Sequence, residues 1–150
     1  MENIKNDNFI FSELNYSDYY NGYFDLMYEF SNYKKEVSYE DFKKYIDSDK
    51  IKIIVIYDDT NLNKIIGAGT IFKLEKLHNK PVAQIEDIII TEKYRKYGLG
   101  KLLVDKLVNV GINEYKCYKV ILNCLDKNIG FYEKCDFFIS GVQMRNNEIL

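Results

Sequence analysis

A chain of 150 residues, 47% hydrophobic and 29% charged, has the size and composition of one globular domain, residues 1–150. It can bury roughly 70% of its unfolded surface, so its core needs no disulfide or metal staple. Lys+Arg 21 against Asp+Glu 23 gives a formal charge of -2, which argues against general nucleic-acid binding and, with this apolar content, against disorder. No apolar run approaches the roughly 20 residues that span a bilayer. The opening MENIKNDNFIF lacks the apolar stretch of a secretory signal. No membrane span and a cytoplasmic location are therefore expected. Cys117, Cys124 and Cys135 are odd in number and without CxxC spacing. With His78 the only histidine, they read as reduced, buried thiols, and no metal site is expected.

In chain order, Phe9-Ile10-Phe11 predicts a short strand. Tyr20, Tyr23, Phe24 and Met27 recur at helical spacing. Ser38 with Asp41 three residues on predicts the start of a second helix, whose inner face is Phe42, Tyr45 and Ile46. The β-branched run Ile51 to Tyr57 predicts a strand. Turn chemistry at Asp58 to Asn63 and a second strand, Lys64 to Phe72, complete a hairpin. A polar loop with Lys76, His78 and Pro81 follows. Gln84 to Thr91 (QIEDIIIT) is a strand carrying two carboxylates, and Glu92 to Tyr97 a charged loop. Gly98 opens an amphipathic helix of Leu99, Leu103, Leu107 and Val110. Tyr118 to Cys124 predicts a strand, Asn128 to Lys134 a short helix, and Phe138 to Arg145 a last strand. The strand–helix–strand run over 84 to 124 implies a parallel crossover, hence an α/β (α+β) fold with a mixed central sheet flanked by helices.

The strongest local signal is Arg95-Lys96-Tyr97-Gly98-Leu99-Gly100-Lys101. The first amides of a helix lack internal partners, and the helix dipole adds partial positive charge there, so an anion is favoured. Glycine lets backbone approach a phosphate closely, and Arg95 and Lys101 add formal charge. A Walker A loop fails because Leu102 follows Gly100-Lys101. A dinucleotide loop fails for want of a third glycine, both here and at Gly67-Ala68-Gly69. Glu86 and Asp87 are costly to bury unpaired, and regular alternation sends them to opposite faces. They read either as an amino-group site or as partners of a surface lysine.

Arg-x-x-Gly-x-Gly after an apolar strand resembles the acyl-CoA pyrophosphate loop of the GNAT acetyltransferases, and the order of elements resembles that fold. IEDIII, YGLGKLLVDKLV, CYKVILNC and KNIGFYEKC, in that order, are similar to the glucosamine 6-phosphate N-acetyltransferases within it, over roughly residues 16 to 145. The resemblance implies acetyl transfer from acetyl-CoA to the amine of glucosamine 6-phosphate. Lys96 to Lys101, with Tyr97 and Leu99 among them, would cradle the pyrophosphate beside Arg95. Ile88, Ile89 and Ile90 would pair their backbone with the pantetheine arm, and Asn128 would touch it. Glu86 is the candidate for helping remove the ammonium proton, and Tyr132 for donating to the departing thiolate.

For the acceptor, the resemblance implies Glu86 and Asp87 at the sugar. It implies Ser31, Lys76, His78, Tyr118, Lys119 and Arg145 toward its phosphate. Asn123 stands where the family often has Asp; an asparagine cannot serve as a base there, though it can polarise the amine. Asp136 replaces a common Gly, and the tail Met144-Arg145-Asn146-Asn147 departs from the family's basic pair. A homodimer exchanging its last strand is implied. No motif places a covalent nucleophile. Another small acceptor amine and a non-catalytic acyl-CoA-binding regulator are the alternatives.

Overall fold

Strands rich in isoleucine and valine form one five-stranded sheet in this computed structural model, which describes residues 8–146 (of 61–63, only the backbone). The first seven residues and Asn147 of the tail lie outside it. The strands are β1 (Phe9–Glu13), β2 (Ile51–Asp58), β3 (Asn61–Leu74), β4 (Val82–Ile90) and β5 (Lys119–Leu122). They lie side by side in chain order, antiparallel except for the parallel pair β4 and β5. A parallel pair needs a crossover. Helix α3 (Leu99–Asn109) supplies it, and an irregular turn, Val110–Glu114, continues it.

Helices cover both faces of the sheet, so the middle of β2, residues 53–57, reads as an unbroken apolar run rather than an alternating one. Ile54 and Ile56 pack with Leu99, Leu103 and Leu107 of α3, all three fully buried. Ile53, Val55 and Tyr57 pack on the other face with Leu26 and Phe42. Those two residues belong to α1 (Tyr23–Ser31) and α2 (Tyr39–Ile46). Each such side chain contributes about 1.5–3 kcal/mol by leaving water. The Ser38 hydroxyl accepts from the Asp41 amide and caps α2, as its spacing predicts. The predicted first helix is broken. Tyr16–Tyr20 is a 3-10 turn, and α1 starts only after Gly22, whose φ is 89°. Asp18 of that turn is 1% exposed, yet accepts bonds from the Asn15 amide and the Tyr57 hydroxyl.

Two expectations fail. Phe138 to Arg145 forms no strand. Its apolar side chains stand in solvent, Phe138 81% and Val142 91% exposed, because no strand of the described chain pairs with it. The three thiols are not all buried. Cys117 and Cys135 are, but Cys124, just past the end of β5, is exposed.

Candidate active site

The site is built around an irregularity in β4. Its ladder with β3 runs Gly67↔Ile90, Ala68↔Ile89 and then Thr70↔Glu86, so Gly69 alone stands opposite Asp87 and Ile88. That is a β-bulge. Asp87 absorbs it with φ at 53°, a region unfavourable for a residue with a Cβ. A Cβ on Gly69 would lie 2.7 Å from Ile88 Cδ1 and 2.8 Å from Leu107 Cδ1, so a larger residue beneath the bulge would have to displace the ends of those side chains. Alternation slips by one. Ile85 and Ile88 both face α3, while Ile89 faces α1 and α2. Glu86 and Asp87 therefore share the α1/α2 face. The expectation of opposite faces is corrected, because it assumed a regular pleat.

On that face Phe72, Leu74, Gln84, Glu86 and Asp87 line a cleft of about 340 Å³. The Gln84 side-chain amide donates to Glu86 Oε1 at 2.6 Å and fixes that carboxylate. Neither carboxylate forms an ion pair among the described residues, so the lysine-partner reading has no support there. Burial raises the Asp87 pKa. Burial likewise raises the pKa of Tyr23 from α1 and Tyr45 from α2, and the charge of Asp87 adds to both shifts. A larger groove, about 510 Å³, lies between β1–β2 and α3, but none of the sequence-predicted site residues lines it. Its Lys52 is held by Glu13 at 3.3 Å and Glu114 at 2.5 Å.

Beyond the bulge β4 loses its parallel neighbour. The β4–β5 pairing covers only Val82 to Ile85, whereas β4 runs on to Ile90. Along Ile88, Ile89 and Ile90 β5 no longer pairs with this edge, which is open to an extended ligand arm except at the Ile90 carbonyl, held by Arg95. Just past that edge the chain makes a 3-10 turn, Glu92–Tyr97, and enters α3 through Gly98 at φ 72°. No side chain caps this end of α3. The first intrahelical bond is from the Leu102 amide to the Gly98 carbonyl, so the amides of Leu99, Gly100 and Lys101 precede the ladder. Arg95 and Lys96 fill the last turn before it. Arg95 Nε donates to the Ile90 carbonyl at 2.9 Å, tying the turn to the end of β4. Lys101 is already paired with Asp105 at 2.9 Å.

Helix α4 (Ile129–Glu133) closes the other wall. Phe131 Cζ would lie 3.2 Å from a Cβ placed on Gly100, so α4 sits directly against the start of α3. Tyr132 follows, half-buried, its ring edge-on to Phe131 and Phe137. Burial raises its pKa, with Cys124 and Cys135 adding to the shift, so the phenol stays protonated at neutral pH. Asn128 precedes α4 and makes no side-chain capping bond, and Asn123 is exposed just after β5.

The other acceptor-side candidates are dispersed. The Tyr118 amide donates to the Pro81 carbonyl at 3.1 Å, and Lys119 pairs with Val82. Tyr118 and Lys119 thus sit at the start of β4, where the loop bearing exposed Lys76 and His78 ends. Four strand residues, about 13 Å, separate that corner from Glu86. Ser31 ends α1, and its hydroxyl donates to the Met27 carbonyl at 2.9 Å. Arg145 lies in the unpaired tail. Gln84 is absent from the sequence-based site, although its place two residues before Glu86 is a period-2 signal for one shared face. Phe72 and Leu74 carry no such signal, since only the β3–β4 pairing brings them to the carboxylates.

Residues 13–137 match the Acetyltransferase (GNAT) family. A Dictyostelium discoideum protein named glucosamine 6-phosphate N-acetyltransferase 1 is 33% identical, over 96% of this chain and 94% of its own length. A Candida albicans protein named glucosamine 6-phosphate N-acetyltransferase is 36% identical, over 91% of this chain and 93% of its own. The crystal structure of the Arabidopsis thaliana enzyme of that name superposes with a TM-score of 0.82 and 29% identity, covering 93% of this chain and 97% of that one. With the bulged β4, its parting from β5 and the glycine-opened helix in place, this chain belongs to the GNAT family of acetyltransferases.

Proposed function

We propose that the chain transfers acetyl from acetyl-CoA to the amine of glucosamine 6-phosphate, giving the N-acetyl sugar phosphate and free CoA. The observation that carries this reading is the bulge at Asp87, which sets two carboxylates on one face of β4, the strand whose unpaired end leads through the turn Glu92–Tyr97 into an uncapped helix start. The pyrophosphate would bind the amides at Leu99 to Lys101, with Arg95 and Lys96 adjacent. The pantetheine arm would lie along Ile88 to Ile90 and Asn128. The thioester then arrives between Glu86 and Tyr132.

The acceptor arrives as an ammonium and has no lone pair. Glu86, held by Gln84, takes that proton directly or through water. The freed amine attacks the thioester carbonyl carbon. The carbon–sulfur bond breaks as the carbon–nitrogen bond is completed, Tyr132 gives its phenolic proton to the leaving thiolate, and the second proton of the nitrogen passes through water to restore the tyrosine, leaving the first on Glu86 to return to solvent. Asn123 would orient the amine. Asp87 accepts hydrogen bonds from the sugar hydroxyls. Lys76, His78, Tyr118 and Lys119, grouped at one corner, would face the phosphate, with Ser31 and Arg145 nearer the helical and tail sides. The reaction as written uses no metal.

A second copy of the chain is proposed to cover the tail, whose exposed Phe138, Ile139, Val142 and Met144 lack a strand partner in one chain. The cytoplasm is the proposed compartment; no helix of the described residues is long and apolar enough to cross a membrane. The test is thiol release from acetyl-CoA. Release with glucosamine 6-phosphate sustains the reading, release only with another amine refutes the acceptor, and binding without turnover refutes the enzyme.

A further inference from the structure

The turn that would hold the coenzyme is anchored from outside the site. Tyr94, in the middle of Glu92–Tyr97, donates its hydroxyl to Asp58 Oδ2 at 2.8 Å. Asp58 is the last residue of β2, where the β2–β3 register shifts. Its other carboxylate oxygen accepts from the Thr60 amide at 3.0 Å and the Thr60 hydroxyl at 2.6 Å, which holds it rigidly. The Tyr94 ring meets Phe9 of β1 edge-on at 6.0 Å, and Tyr97 meets the same ring at 5.8 Å. On its far side the turn has the Arg95 bond to the Ile90 carbonyl. The segment between β4 and α3 is thus gripped at two points, one in the site and one on the hairpin tip.

The geometry points to Tyr94 and Asp58 as positioning residues that latch the pyrophosphate turn to the β2–β3 hairpin and so set affinity for acetyl-CoA without touching it. This rests on the proposed use of the turn. The physical reason is pre-organisation. Amides already fixed at the start of α3 lose little freedom when the diphosphate arrives, whereas a turn released from the hairpin must be ordered by the ligand. Neither latch residue bonds to or stacks on Glu86 or Tyr132, so the chemical step is unaffected once both substrates are bound.

Tyr94→Phe keeps the ring on Phe9 and removes only the hydroxyl. The expected result is a rise of roughly three- to tenfold in the Kd and KM for acetyl-CoA, the worth of one net hydrogen bond. The kcat and the KM for glucosamine 6-phosphate stay at parental values. Asp58→Ala should do the same, the double variant should be no worse than the stronger single, and Asp58→Asn, which keeps an acceptor oxygen, should recover most of the affinity. Hydrogen exchange at the amides of 95–101 should quicken in Tyr94→Phe. A parent that binds acetyl-CoA and a Tyr94→Phe variant with the same Kd overturn the latch alone. So does an equal loss in kcat and both KM values. A parent that does not bind acetyl-CoA overturns the functional reading, and the affinity claim with it.

Discussion

Gly98 holds a φ of 72°, and a Cβ built there would meet nothing within 4 Å. Any penalty for Gly98→Ala is therefore conformational, not steric. The left-handed region costs a residue with a Cβ roughly 1–2 kcal/mol. That cost must surface in one of two places. If the turn keeps its shape without ligand, the folded state loses about 1–2 kcal/mol and Tm falls by roughly 2–8 °C for a chain of this length, with Kd unchanged. If the empty turn relaxes to negative φ, Tm stays near parental and the strain returns on binding, raising the Kd for acetyl-CoA roughly 5- to 30-fold. Thermal unfolding and equilibrium titration of the same preparation give both numbers, and the two losses should add to about 1–2 kcal/mol. Gly98→Asn should lose less, because Asn tolerates this region better. Parental Tm together with parental Kd in Gly98→Ala would refute the claim that the positive φ shapes the anion site.

Tyr132→Phe should lower kcat far more than it weakens acetyl-CoA binding, and equal losses in both would remove the proton-donor role. Because burial raises the Tyr132 pKa, the alkaline fall in kcat in the parent should begin above the ordinary tyrosine value of about 10. Asp87→Asn should raise thermal stability at neutral pH, since burial disfavours the charged carboxylate. The sign follows from linkage. A raised folded pKa makes ionised Asp87 a cost above that pKa. The advantage of the variant should therefore shrink as pH falls toward and below the ordinary aspartate value, and a pH-independent gain would refute it. Tyr57→Phe leaves the buried Asp18 carboxylate without its hydroxyl partner. Urea unfolding should show a loss of about 2 kcal/mol, and a loss under about 0.5 would mean that water replaces the bond.

The chain by itself determined what depends on neighbours in sequence. The Ser38 cap, the β-branched run of β2, the leucine stripe of α3 and the glycine turn after an apolar strand are local patterns, and each stands in the structure where its spacing puts it. Only the tertiary structure decided what depends on a partner strand. The bulge at Asp87 has no glycine of its own to announce it. It exists because β3 offers one residue, Gly69, against two, and it turns Glu86 and Asp87 to one face. Phe138 to Arg145 has strand-like composition, yet a strand exists only when paired to another backbone, and among the described residues this segment pairs with none. Asp58 and Tyr94, 36 residues apart, meet only because β2 ends beside the turn that follows β4. Periodicity reports which way a side chain points along a regular element, and these features arise where regularity stops or where a distant strand comes alongside.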